Sequence, residues 1–158
     1  MLRLSKLSDY GIVILTAMAE SGAASHTALS LSERTRIPRP TVSKLLKILA
    51  WSALVRSVRG RNGGYFLNRS PEEISVTEII EAIEGPMAIT ECGLNGGSCE
   101  LEAHCHTRPH WRHINHAIRD ALQGVTLQQL ASPSTQVLTY WPKRDDTALQ
   151  VAGTLGGR

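Results

Sequence analysis

Residues 29–68, LSLSERTRIPRPTVSKLLKILAWSALVRSVRGRNGGYFLN, decide the fold. Leu29 to Arg36 has the spacing of a short amphipathic helix, and Ile37-Pro38-Arg39-Pro40 is expected to be a turn, because residues preceding proline avoid the right-handed helical region. Pro40 suits the first position of a new helix, where its missing N–H leaves no bond unmade. That helix is predicted to run through Trp51, with Val42, Leu45, Leu46 and Leu49 on one side and Thr41, Ser43, Lys44 and Lys47 largely on the other. Two short helices about such a turn make a helix-turn-helix. Leu54 to Val58 and Tyr65 to Asn68 then read as paired strands, joined by the glycine-rich tip Arg59-Gly60-Arg61-Asn62-Gly63-Gly64. Two arginines on a hairpin directly after a helix-turn-helix form a wing, which can reach a phosphate or a narrow minor groove.

Working outward, Ser8 to Glu20 (SDYGIVILTAMAE) opens with a residue able to accept a helix N-cap bond and continues almost wholly apolar, as a buried first helix does. On the other side, Ser75-Val76-Thr77-Glu78 matches a capping box; Val76, Ile79, Ile80 and Ile83 supply an apolar stripe, and Gly85-Pro86 ends it. This helix is expected to dock on the winged unit. Thr107 with Pro109 signals a further helix to about Gln123, with Trp111, Ile114, Ile118, Ala121 and Leu122 facing one way. A helix outside a small winged core has to hide such a stripe, and the same helix of a second subunit is the economical cover; packing within its own chain is the alternative. Thr126 to Leu130 reads as a last short turn, and the prolines and glycines from Pro133 onward read as a disordered tail.

The expected fold is therefore mainly α with a small β-hairpin wing: a winged helix-turn-helix plus a long C-terminal dimerisation helix. Residues 1–70 form the DNA-binding domain, 71–90 a docking helix and connector, 91–107 a cysteine loop, 108–131 the dimerisation and short terminal helices, and 132–158 the tail.

The 158 residues, 42% hydrophobic and 20% charged, are enough for one ordinary core and an appendage, which excludes a large multidomain enzyme. Apolar runs such as Ile12 to Ala19 are too short to cross a bilayer, and no apolar leader with a small-residue cleavage site is visible, so a cytoplasmic chain without a membrane partner is expected. The net charge of +3 hides an asymmetry: residues 1–70 carry 11 basic and 3 acidic side chains, and residues 71–158 carry 6 and 11. A compact half with that basic excess suits phosphate neutralisation, whereas the acidic half would be repelled by nucleic acid. Arg39, Thr41, Ser43 and Lys44 are the expected base-reading residues, Arg59 and Arg61 the wing contacts, and Lys6 a phosphate contact.

All three cysteines fall between residues 92 and 105, spaced Cys92-x6-Cys99-x5-Cys105. That is looser than the paired knuckles of structural zinc, and three thiolates on a glycine-containing loop suit an iron–sulfur cluster whose remaining position goes to another ligand. Buried free cysteines or a peroxide-reactive pair remain as alternatives. His104 and His106 flank Cys105; His110, His113 and His116 follow on the helix, where a polar surface stripe is the commoner reading. No nucleophile, base and orienter set, nucleophile elbow or phosphate loop is present, so no catalytic residue is assigned.

The opening Leu2-Arg3-Leu4-Ser5-Lys6, the wing Val58 to Tyr65, the segment Ile74 to Glu84, the three cysteines, and Trp111-Arg112 with Thr126-Leu127 together resemble the Rrf2 family of winged-helix regulators, the IscR, NsrR and RirA group, over about residues 1–130. Within it, Pro71 to Ser75 and Glu84 to Cys92 are most similar to regulators of SUF iron–sulfur assembly genes. The resemblance implies a homodimer that binds a palindromic promoter site in double-stranded DNA, represses those genes and responds to the state of its cluster. In IscR-like members a histidine three residues after the last cysteine is the fourth ligand; here Arg108 stands there, and guanidinium stays protonated. In NsrR-like members an aspartate early in the partner's first helix serves instead, and Asp9 matches it. The resemblance thus implies a 4Fe-4S cluster, ahead of 2Fe-2S, held by Cys92, Cys99, Cys105 and the partner subunit's Asp9. A nitric oxide or iron-limitation sensor on the same scaffold is the rival role. A zinc or thiol-dependent enzyme is the rival from another class, and would not need the basic half.

Overall fold

The computed structural model describes residues 4–22, 24–60, 63–90, 99 and 104–132. Its first helix, α1 (Lys6–Glu20), starts earlier than expected, because Ser5 and not Ser8 is the N-cap: the Ser5 hydroxyl accepts the Ser8 N–H at 3.2 Å. Either serine could cap. Ser8 is instead fully buried one turn in, where its hydroxyl donates to the Glu84 carboxylate.

α2 (Ala28–Thr35) is held at its start by a reciprocal capping box between Thr27 and Ser30, and it stops at Arg36, whose φ of 61° is left-handed. α3 (Arg39–Trp51) follows after a turn shorter than the one expected over 37–40. Pro38 occupies the cap position, Arg39 is the first helical residue and Pro40 the second, since first-turn N–H groups have no intrahelical acceptor to lose. Val42, Leu45, Leu46 and Leu49 are completely buried, in one cluster with Ile14, Leu15 and Met18 of α1 and Leu31 of α2.

The wing is β1 (Val55–Val58) paired antiparallel with β2 (Gly64–Leu67), Val55 opposite Leu67 and Val58 opposite Gly64. A feature not foreseen adds a third edge: His26 and Tyr65 exchange both backbone bonds, at 2.9 and 2.8 Å. Gly64 permits this approach, for a Cβ there would lie 2.8 Å from the His26 carbonyl oxygen and its φ of 148° already disfavours a side chain.

The core continues past residue 70. A 3-10 turn over Pro71–Glu73 leads into α4 (Val76–Glu84), whose Ser75–Glu78 capping box and C-terminal Gly85 match the expectation. α4 docks on α1 so closely that a Cβ at Gly11 would sit 2.3 Å from Cδ1 of Ile83. After α5 (Arg108–Gln123), the short α6 (Leu127–Ala131) turns out to be more than a terminal turn. Val76 N–H donates to the Val125 carbonyl at 2.9 Å, Leu127 N–H donates to the Ile74 carbonyl at 2.8 Å, and Leu127 is fully buried in the same cluster as α1 and α3. Burying that side chain contributes about 1.5–3 kcal/mol. The expected disordered tail lies, beyond Ser132, outside the described residues. None of the described helices is long and apolar enough to cross a membrane.

Candidate nucleic-acid interface and metal centre

Because α3 satisfies its apolar face within the chain, its opposite face is left to solvent. Arg39 and Lys44 are exposed there, and Thr41 and Ser43 are half-buried at the edge of that face. Lys47 and Trp51, also exposed, continue the stripe at helical spacing from Lys44; Trp51 is 97% exposed. Neither was among the expected DNA contacts, although the spacing of Lys47 from Lys44 was the available signal. Arg59 is exposed at the end of β1, and Arg61 lies outside the described residues. Arg34 pairs with Glu20 at 2.6 Å and Arg69 with Glu78 at 2.7 Å, but no ion pair among the described residues engages Arg39, Lys44, Lys47 or Arg59. Unneutralised cations on a helix-turn-helix and its wing are the donors a phosphate backbone requires. Lys6, the first residue of α1, is exposed, with its ammonium 5.6 Å from the centre of the Tyr10 ring in a cation–π contact.

The thiols sit at the other end of the chain's path. Cys99 and Cys105 are free and partly exposed, and Cys92 lies outside the described residues. Cys105 Sγ is 3.2 Å from Thr107 Oγ1; that hydrogen bond first, then the Thr107 and Arg108 backbone N–H groups, draws its thiol below the usual range. Thr107 holds the cap position of α5 but spends its hydroxyl on Cys105 rather than on the helix. A thiol biased toward thiolate is the form that binds iron, so the donor chemistry fits a cluster. Asp9 is exposed in the first turn of α1, and no hydrogen bond or ion pair with a described residue engages its carboxylate. His104, His106, His110, His113 and His116 are all exposed. Among the described residues, no three histidine, cysteine or acidic side chains lie together as a metal site.

Between these two regions runs a set of polar contacts that no local pattern announces. The segment leaving α4 is held by Met87 N–H on Glu81 Oε1 at 3.5 Å and by Ile89 N–H on Asn115 Oδ1 at 2.9 Å. Glu81 also pairs with Arg119 at 3.0 Å, and the Thr77 hydroxyl donates to the Arg119 carbonyl at 3.2 Å, so α4 and α5 are joined by polar contacts. Glu84 accepts from Ser8, which holds its carboxyl below the usual range against slight burial, and from the Ser5 N–H. α5 itself buries no residue fully; Trp111 and Ile114 remain 36% and 39% exposed.

A family model described as "Iron-dependent Transcriptional regulator", the Rrf2 family, matches residues 4–133. The chain is 31% identical over 144 residues to IscR of Pectobacterium carotovorum, an HTH-type transcriptional regulator, a match covering 89% of this chain and 87% of that protein. Among solved structures, CymR of B. subtilis, described as its global cysteine regulator, is similar with a TM-score of 0.66 at 29% identity, covering 83% of this chain and 97% of that one. IscR of T. potens is similar with a TM-score of 0.63 at 28% identity, over 82% of this chain and 85% of that one. These proteins are regulators and not enzymes, and they share the winged unit whose basic face is described above. A match over so much of the chain, on a helix-turn-helix with an exposed basic face, establishes that the chain belongs to the Rrf2 family of DNA-binding transcriptional regulators and is of the IscR type.

Proposed function

We propose that the chain is an iron–sulfur-sensing repressor of SUF-type iron–sulfur assembly genes, acting in the cytoplasm as a homodimer on a palindromic site. The observation that carries this reading is the Cys105 thiol: free, partly exposed and drawn toward thiolate at the root of α5, the helix whose apolar stripe its own chain leaves half-covered. Cys92, Cys99 and Cys105 would hold a 4Fe-4S cluster, with the partner subunit's Asp9 as fourth ligand. When bound, such a cluster supplies iron–sulfur bonds that oxidants, nitric oxide or iron loss can break, most readily at the carboxylate corner.

The chain's own residues do the rest. Arg39, Thr41, Ser43 and Lys44 read base edges in the major groove, Arg59 and Arg61 take the adjacent backbone or minor groove, and Lys6 neutralises a phosphate. As a ligand in trans, Asp9 would tie α1 of one winged unit to the cysteine segment of the other subunit. Cysteines freed of such a cluster would release their hold on α5 and would let the two winged units shift relative to each other, so that both α3 helices would no longer meet successive major grooves.

The test is to purify the protein anaerobically, record absorption and Mössbauer spectra, and measure binding to promoter fragments of SUF-type genes before and after chelating the iron. The reading expects a cluster spectrum and a large change in affinity on chelation. A colourless, iron-free protein with unchanged affinity overturns it. Sensing of iron limitation is the second reading, favoured by the family's description as iron-dependent; binding to iron-uptake promoters in place of assembly promoters would select it.

A further inference from the structure

We propose that Glu84 is a positioning residue which fixes the first turn of α1, and with it the Asp9 carboxylate, to the root of the cysteine segment. The role given to Asp9 rests on the reading above; the attachment of α1 does not.

The placement of Glu84 is unfavourable by local physics. It is the last residue of α4, where the helix dipole is negative and a basic residue would be preferred, yet that turn contains no basic side chain. The compensation is found 76 to 79 residues away in sequence: Oε1 accepts both the Ser8 hydroxyl and, at 3.1 Å, the Ser5 N–H. A carboxylate is thereby delivered to the N-terminus of α1, where the dipole is positive and N–H groups lack intrahelical partners. Ser8 is fully buried, so removing Glu84 would take away the acceptor of its hydroxyl and leave it only the 3.4 Å contact with the Ser5 hydroxyl.

Packing makes the attachment rigid. The neighbouring Ile83 presses into Gly11 of α1 with no room for a Cβ, so α1 and α4 are pinned by an apolar contact on one side of Asp9 and a polar one on the other. Immediately after Glu84 the chain turns at Gly85, with φ of 87°, into the strap that Glu81 and Asn115 hold. A displacement of that strap is therefore passed to the first turn of α1 through the polar contacts of Glu84 Oε1, beside the apolar contact of Ile83 with Gly11.

The test uses the full-length chain. In the iron-free protein, Glu84→Ala is expected to speed amide hydrogen exchange at residues 8–10 by about tenfold, the loss of a charge-assisted bond, while protection in α3 is retained. Glu84→Gln keeps an oxygen acceptor and is expected to retain most of the protection. In protein loaded anaerobically with ferrous iron and sulfide, Glu84→Ala is expected to bleach in air as fast as Asp9→Ala. The double variant should bleach no faster than Asp9→Ala alone, because a positioning residue acts only through the group it positions. Additive bleaching rates, or unchanged exchange at residues 8–10 in Glu84→Ala, overturn the proposal. A wild-type chain that takes up neither iron nor sulfide overturns the ligand role of Asp9 instead, and the iron-free exchange measurement then decides alone whether Glu84 fixes α1.

Discussion

Helices α3 and α5 are written alike in sequence: each has a proline in its first turn and an apolar stripe at helical spacing. Within the chain they meet opposite fates. Four apolar side chains of α3 are completely buried, so this helix is anchored by its own domain and its polar face is free to act. α5 buries none of its residues fully and leaves Trp111 and Ile114 more than a third exposed. An amphipathic helix reports its partner only through what covers it: α3 has its partner in cis, and α5 has a stripe that an identical helix related by twofold symmetry would complete. On the proposed reading, DNA reading and subunit pairing would fall to different helices, which would let one bias the other.

The largest expected effect sharpens that contrast. Leu46→Ala in α3 should cost about 2–5 kcal/mol of stability in urea or thermal unfolding, whereas Ile114→Ala, measured on dilute monomer, should cost under about 1 kcal/mol. Leu127→Ala should behave like Leu46→Ala, because α6 belongs to the same buried cluster. A small effect at Leu127 would return α6 to the periphery. The converse arm reads association: Ile114→Glu should weaken dimerisation by at least about 100-fold, roughly 2.8 kcal/mol, in analytical ultracentrifugation. Wild-type self-association in this variant would mean that α5 is covered some other way.

Much of this contrast was legible in the sequence. α4 is the clearest instance, for a capping box, an isoleucine stripe and Gly85-Pro86 bracket it at both ends. The start of α1 was not legible, because Ser5 and Ser8 are equally good caps and the acceptor that decides between them comes from the far end of α4. Leu127 escaped because a five-residue helix is too short to display a period. In the candidate site, Arg39, Lys44 and Arg59 were picked out by charge and spacing, and the structure leaves them exposed. Glu84 and Asn115 were missed, since side-chain acceptors serving a remote backbone leave no local pattern.

On the DNA side the effects are smaller. Lys44→Ala should cost about 1–3 kcal/mol of binding and relax sequence preference, while Lys6→Ala should weaken all duplexes alike and flatten the salt dependence. Fluorescence anisotropy across a salt series separates the two. Equal loss on every sequence for Lys44→Ala would demote α3 from a base reader to a phosphate contact.

The smallest expected effect concerns the brace behind the wing. Burial, and then the charge of Arg34, hold the His26 imidazole below its usual range, and its buried Nε2 has no hydrogen-bond partner among the described residues. The unfolded chain therefore binds a proton that the folded one resists, so stability should fall as pH drops through about 6.5 and level off below the folded value. His26→Phe should remove that step from a thermal-unfolding series between pH 8 and 5; a step that survives the substitution would assign it elsewhere.

On the proposed reading, α5 pairs two chains and the pair holds iron through the cysteine segment. Native mass spectrometry of the anaerobically purified protein tests it most directly. A dimer carrying one iron–sulfur cluster per subunit is expected, with Cys105→Ala remaining a dimer and losing that added mass. A monomer, or a dimer of bare polypeptide mass whose partner contact survives Ile114→Glu, would contradict it.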